Sequence, residues 1–343
     1  MAAAAGAAAM TAARQRIALL HLGRIHDETP ALRAVLEQRG IATELVPLSA
    51  ADVTDWGRFD RVSVRDCRDS HRHGDFLSRI TTLARRLEAL GVALVNPLAV
   101  VLAGHAKSGY LPGLEREGIR LIPSRWLPRG WQGSLAELLE TCGWSEAVLK
   151  PAIGSRSWQI HRLRRRGHGV EIIAADGART FDAADAADAA DAADAADAAD
   201  AADAADADGW LTGLCRDGDW CLQRFLPSIH GRGEVSLVFL AGRFSHAVSK
   251  SVAGGGWIAH ESFGGRNHCH PATALERRWA EAVEERLRRR FGVLPYARID
   301  GIHDEQGDLL LLECELVIPR LFLGEGHAFG RYADVLTTPP GGG

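Results

Sequence analysis

The alternation of short apolar runs with amphipathic segments over residues 16–95 limits this chain more than any other feature. Residues 16–22 read as an apolar strand, and 30–39 as an amphipathic helix closed by Gly40. Residues 41–46 and 59–64 follow as strands, and 76–90 as a second helix ending at Gly91. Residues 92–95 give a last strand, stopped by Asn96-Pro97. Strands that alternate with helices build parallel sheets, so this segment predicts a small doubly wound α/β domain. The turn Leu22-Gly23-Arg24 after its first strand lacks the GxGxxG spacing, which argues against a dinucleotide fold.

The patterning then changes. VLKP (Val148 to Pro151) and WCLQRFL (Trp220 to Leu226) read as strand ends, and residues 234–240 and 243–250 as strands joined at Ala241-Gly242. A Gly-rich loop runs from Ser251 to Arg266. Residues 277–291 carry Trp279, Val283, Leu287 and Phe291 on one helical stripe. Residues 297–302 and 309–315 close the set as a second turn-linked pair. Turn-linked strands predict antiparallel pairing, hence an α+β C-terminal part.

Between Asp182 and Asp208 lie ten aspartates in an Asp-Ala-Ala repeat, without which the net charge moves from −4 to +6. A mildly basic body suits an anionic ligand such as a nucleotide, but is too weak a signal for nucleic acid. Aspartates at every third position wind around a helix and leave it no constant apolar face, so the repeat reads as a solvated insert. The opening run to Met10 is nearly all Ala and Gly with no basic residue, which makes a frayed tail rather than a secretory signal. No run of eighteen apolar residues appears outside these two segments, so no membrane span is expected. Six cysteines without CxxC spacing predict reduced thiols and a cytoplasmic protein.

Chemistry concentrates in two features. Only Lys107, Lys150 and Lys250 among the 40 basic residues are lysine. A chain that otherwise uses arginine has kept three compact, mobile point charges of the kind that moving phosphate oxygens require. The second feature is acidic: Asp300 in YARIDGI, and Glu313 and Glu315 in LLLECEL. Alternate strand residues share a face, so Glu313 and Glu315 point together, and pairing through the turn near Gly307 brings Asp300 to them. Three converging carboxylates repel unless a hard cation lies among them, and Mg²⁺ on nucleotide phosphates is the natural occupant.

VLKPAIGSRS, LQRFLP, GEVSLVFLAGRFSHAVSK, YARIDG and ECELVIPRLFL, in this order, resemble the ATP-grasp superfamily, more narrowly its glutathione-synthetase-like and D-cycloserine ligase branch. The resemblance implies an ATP-grasp architecture, with an N-terminal α/β domain at 14–98 after the 1–13 tail and a connector at 99–123. A lid at 124–226 would carry the 182–208 insert, and a C-terminal catalytic subdomain would fill 227–336 before a tail at 337–343. It implies an ATP- and Mg²⁺-dependent ligase that joins a small-molecule carboxylate to an amine through an acyl phosphate. A kinase or a non-catalytic ATP-binding regulatory protein on the same fold is the alternative. Lys107 and Lys150 would hold phosphates, Gln223, Arg224, Phe225 and Leu226 the adenine, and Glu234 the ribose. Arg298 would stabilise the transferring phosphoryl group, and Asp300, Glu313 and Glu315 would hold the metal. The loop from Ser251 to Arg266 would close over the site. Ile318 and Arg320 stand where many relatives carry glutamate and serine, so the substrate does not carry over by analogy.

Other residues suggest little chemistry. His268-Cys269-His270 reads as loop, the run from Arg162 to Arg166 as a solvated turn, and Arg65 and His71 as sheet-edge and helix-cap partners. His246 and His260 bracket the Gly-rich loop, where a proton shuttle is conceivable, and Ser236 has no His-Asp arrangement beside it in sequence. Because the repeat has no apolar face, deleting residues 183–206 should leave stability within about 1 kcal/mol. Urea unfolding of the deletion variant measures this, and loss of folded protein would show that the insert packs.

Overall fold

In the computed structural model, which describes residues 15–167, 169–175 and 207–338, the strands expected in the first segment all form. The Ala-rich opening and the repeat up to Asp206 lie outside the described residues. Strands β1 (Arg16–His21), β2 (Ala42–Pro47), β3 (Arg61–Asp66) and β4 (Ala93–Val95) make a parallel sheet in the order β2-β1-β3-β4. Helix Phe76–Ala89 places Phe76, Ile80, Leu83 and Leu87 on one face, all buried. Proline in its first turn opens helix Thr29–Gln38, where the missing N–H costs nothing.

Residues 322–338 fall in this first compact unit, with 15–98, and not in the C-terminal subdomain that the sequence predicts through 336. Helix Phe329–Thr337 packs on helix Thr29–Gln38, and Glu28 accepts a hydrogen bond from the Leu323 N–H. Arg65 corrects another expectation. It lies on the interior strand β3, is 1% exposed, pairs with Glu28, and stacks 5.2 Å from the Tyr332 ring. A guanidinium is stable there because both its charge and its flat face are occupied.

The second unit, residues 99–321, contains two antiparallel sheets. One has the order β5-β9-β6-β7-β8, from β5 (Ser124–Leu127), β6 (Glu146–Pro151), β7 (His161–Arg166), β8 (Gly169–Ala174) and β9 (Trp220–Arg224). Ala147, Leu149, Leu163, Ile172, Trp220 and Leu222 form its core with Ala207, Leu211 and Cys215, spaced four apart on the helix over 207–217. The run from Arg162 to Arg166 is therefore strand β7, not a turn. Arg162 is buried, bonds Glu146 at 2.8 Å and lies 3.7 Å over the Phe225 ring.

The other sheet has the order β12-β11-β10-β13-β14, from β10 (Glu234–Leu240), β11 (Arg243–Ser251), β12 (Arg266–His270), β13 (Tyr296–His303) and β14 (Leu309–Glu315). His268, Cys269 and His270 thus belong to an edge strand rather than to a loop. Helix Ala274–Phe291 begins with a capping box between Thr273 and Glu276 and buries Ala280, Val283 and Leu287 against Val235, Leu237, Ile299 and Leu311. The predicted stripe holds, with Trp279 and Phe291 packed at its margin.

The remaining observations are simple. All six cysteines are free, and no helix among the described residues is long and apolar enough to cross a membrane. Gly301, next to Asp300, lets the helix approach β13, since a Cβ there would lie 2.6 Å from the Trp279 ring. Gly301→Ala should cost about 1–3 kcal/mol by forcing that ring aside. Chemical denaturation of the variant measures the loss, and an unchanged midpoint would mean the ring has room to move.

Candidate functional site

One face of the second sheet is apolar and the other is charged. Val235, Leu237, Ala247, Ile299 and Cys314 face the helix side, so Glu234, Ser236, Lys250, Arg298 and Asp300 face away from it. A bulge places Glu313 and Glu315 there too. The register runs Gly301 with Leu311 but Asp300 with Glu313, leaving Leu312 extra. Leu311 and Cys314 therefore both point into the core, and the parity of β14 is reversed at Glu313. The buried Tyr110 hydroxyl fixes the reversed segment. It accepts from the Cys314 N–H and donates to the Cys314 carbonyl, each at 2.9 Å.

The charges on this face form one network. Asp300, fully buried, accepts from Arg298 Nε at 2.8 Å, from Arg298 Nη2 at 2.6 Å and from Ser236 Oγ at 2.6 Å. Burial alone would raise its carboxyl, but Arg298 and Lys250 hold it well below the usual range. Lys250 Nζ lies 3.6 Å from Asp300 and pairs with Glu234, its cross-strand neighbour. Burial pushes Glu234 up to about 7, against the pull of Lys250. Glu315 is 3.5 Å from Arg298 and is raised by burial, with Glu313 and Asp300 adding to the effect.

Two more cations join them, Lys150 from the other sheet and Lys107 from a short turn. Ala147 and Leu149 face its core, so Val148 and Lys150 face away, beside Gln223 and Cys221 on β9. Burial lowers the Lys150 pKa, while Glu313 opposes the shift. Lys107, in the short turn Lys107–Gly109, places Nζ 3.0 Å from the Gly154 carbonyl and 3.3 Å from Glu313. Burial would raise Glu313, and Lys107 and Lys150 together keep it low. All three lysines of the chain thus act on carboxylates of this face, Lys107 and Lys150 on Glu313 and Lys250 on Glu234 and Asp300.

The structure departs from the sequence reading in several places. Asp300, Glu313 and Glu315 share a face, but each is engaged by a basic side chain. No group of three His, Cys, Asp or Glu among the described residues has metal-holding geometry. The donor set is still entirely carboxylate oxygen, and the raised Glu315 carboxyl beside two others is where added positive charge would be favoured. At the expected hinge, the Arg224 N–H bonds the Pro123 carbonyl and the Phe225 N–H bonds the Glu146 carbonyl, so those donors are occupied. The Arg224 side chain turns outward to Glu305 at 3.1 Å. Gln223 donates to Ser124 Oγ at 3.0 Å, and Phe225 and Leu226 are buried beside Ile122, Ile302 and Leu310. A groove of about 480 Å³ next to them is lined by Leu121, Arg224, Leu226, Glu305 and Leu310.

His246 is tied down, accepting at Nδ1 from Ser245 and donating from Nε2 to the Leu321 carbonyl at 2.8 Å. Two participants escaped assignment from sequence. Ser236 orients Asp300, although only the β10–β13 register reveals the pair. Lys250 was signalled by the rarity of lysine, but its motif carried no role.

Neither a family model nor a curated protein sequence matches the chain. Solved structures do. The D-cycloserine synthetase DcsG superposes with a TM-score of 0.70 at 21% identity, covering 94% of this chain and 98% of that one. D-alanine–D-alanine ligase from Bacillus anthracis, complexed with ATP, gives 0.61 at 14% identity over 94% and 96%. The ATP-grasp ligase PsnB, complexed with a minimal precursor, gives 0.57 at 14% identity over 94% and 98%. The chain has the ATP-grasp fold.

The site also has a pH signature. The Glu234 pKa is higher in the folded chain than its ordinary 4.5, so the stability it contributes is complete below that value and is lost as pH rises through about 7. The stability of the wild type relative to Glu234→Gln should therefore decline between about pH 4.5 and 7 and level off above. Urea midpoints across this window test it, and a difference independent of pH would refute the raised value.

Proposed function

We propose that this chain is an ATP-dependent ligase that activates a carboxylate as an acyl phosphate and passes the acyl group to an amine, releasing ADP and phosphate. The convergence of Lys107, Lys150, Lys250 and Arg298 on Asp300, Glu313 and Glu315 carries the reading. Phosphoryl transfer is chiefly charge placement, and these are the parts it requires. The likeness of fold to three ligases, one complexed with ATP, supports it.

In this reading Lys107 and Lys150 hold phosphate oxygens, Gln223 to Leu226 border the adenine, and Glu234 takes the ribose hydroxyls. Asp300, Glu313 and Glu315 would hold Mg²⁺, which supplies charge neutralisation for the phosphates. Lys107, now on Glu313, and Lys150, whose charge also acts there, would turn to phosphate, freeing that carboxylate for the metal, so no buried charge loses a partner. The acid's oxygen attacks the γ-phosphorus and ADP leaves. The amine nitrogen then attacks the acyl carbon, phosphate leaves with the C–O electron pair, and the amine gives up a proton. Arg298, held by Asp300 and by the Arg320 carbonyl, is oriented to stabilise the charge that develops. The acid can be free or part of a peptide, since another PsnB structure holds a precursor peptide.

The test is chemical. Acids offered with ATP, Mg²⁺ and hydroxylamine should yield a hydroxamate, the trapped acyl phosphate. Lys150→Arg should reduce turnover roughly 10²- to 10³-fold, because a planar fork cannot follow moving oxygens as an ammonium does. Full activity in that variant, with no hydroxamate from any acid, would end the ligase reading. A stable phosphoester would identify a kinase instead.

A further inference from the structure

Arg320 lies on the segment leaving β14, and its carbonyl accepts from Arg298 Nη1 at 3.0 Å. The backbone that carries Arg320 is thus fixed to the arginine of the site. Its guanidinium pairs with the Glu261 carboxylate in the Gly-rich loop. Asn267 Nδ2 donates to the other Glu261 oxygen at 2.6 Å. The neighbouring His260 is lowered to about 4, first by burial and then by Arg156, Lys250 and Arg298. Four cations, Arg320 included, therefore act at this end of the loop, where one Glu261 oxygen accepts from Arg320 Nη1.

A guanidinium fork binds a carboxylate in the same way whether it belongs to the chain or to a ligand. The Glu261 side chain is 50% exposed and that of Arg320 29%, so water can solvate the separated charges and parting the pair costs little. We propose that Arg320 determines specificity: it takes a second carboxylate on the acid substrate, and Glu261 pairs with its Nη1 when that substrate is absent. This assignment rests on the ligase reading and narrows its substrates to dicarboxylates.

The test uses the full chain with Mg²⁺ and a non-hydrolysable ATP analogue. Dicarboxylates from malonate to adipate, and the half-amide of each, are titrated calorimetrically. At least one diacid should bind about tenfold or more tightly than its half-amide, a gap of about 1.4 kcal/mol. Arg320→Gln should abolish that ratio while leaving half-amide affinity within about twofold. Glu261→Gln, an exposed change that removes the competitor, should tighten diacid binding. A ratio near one throughout the series, or one that survives Arg320→Gln, overturns the proposal, as does weaker diacid binding in Glu261→Gln. ADP release is followed separately. A diacid preference without ADP release keeps the Arg320 assignment and removes the ligase reading, whereas ADP release without preference removes Arg320 alone.

Discussion

The candidate site depends on one extra residue in β14. Without Leu312 as a bulge, the alternation that buries Leu311 would carry Glu313 and Glu315 into the apolar core beside Val283 and Ile299. Ionised carboxylates there would cost several kcal/mol each or be forced to protonate. The bulge lets one strand be hydrophobic over its first half and acidic over its second without breaking its pairing with β13. Tyr110 and the segment before it make the arrangement possible at a sheet edge. The Tyr110 hydroxyl bonds the outward backbone of Cys314, and the Arg120 carbonyl and Ile122 N–H bond Leu311. An edge that would otherwise expose unpaired polar groups is closed from within the same unit.

The charged face that results is not a set of independent ion pairs. Asp300 is shared by Arg298, Lys250 and Ser236, and Glu313 by Lys107 and Lys150. Removing any one member strands another in low dielectric, so the network is held in place collectively. Its opposing shifts, with Asp300 and Glu313 lowered and Glu234 and Glu315 raised, all arise on one sheet face. Carboxyl groups pushed apart in this way are a recurrent feature of functional sites.

Much of this was legible in the sequence, for identifiable reasons. Parallel strands separated by amphipathic helices announce themselves by period, and the Trp279, Val283, Leu287 and Phe291 stripe did the same for the helix that backs the site. Asp300, Glu313 and Glu315 stand out in the sequence because acidic residues in an apolar strand are anomalous. Strand β7 has no such signature because its arginines carry no apolar alternation: Arg162 is buried by Glu146 and the Phe225 ring, partners distant in sequence. Arg65 was misread for the same reason, since Glu28 and Tyr332 neutralise and cover it. The return of residues 322–338 to the first unit left no local signal, because it depends on packing between helices about 300 residues apart. Which basic residue engages which carboxylate was equally hidden, because register and the bulge decide it.

The scarcity of lysine also has a practical consequence. Lys107, Lys150 and Lys250 supply every side-chain primary amine in the chain, and all three are buried or half-buried beside the carboxylates of one sheet face. In most proteins amine-directed reagents scatter over the surface, but here the surface offers guanidinium groups that such reagents leave alone. An aldehyde- or acyl-bearing nucleotide analogue would meet ε-amino groups only where this sheet face gathers them. The chain is thus already laid out for covalent mapping of its own centre, with no engineered handle.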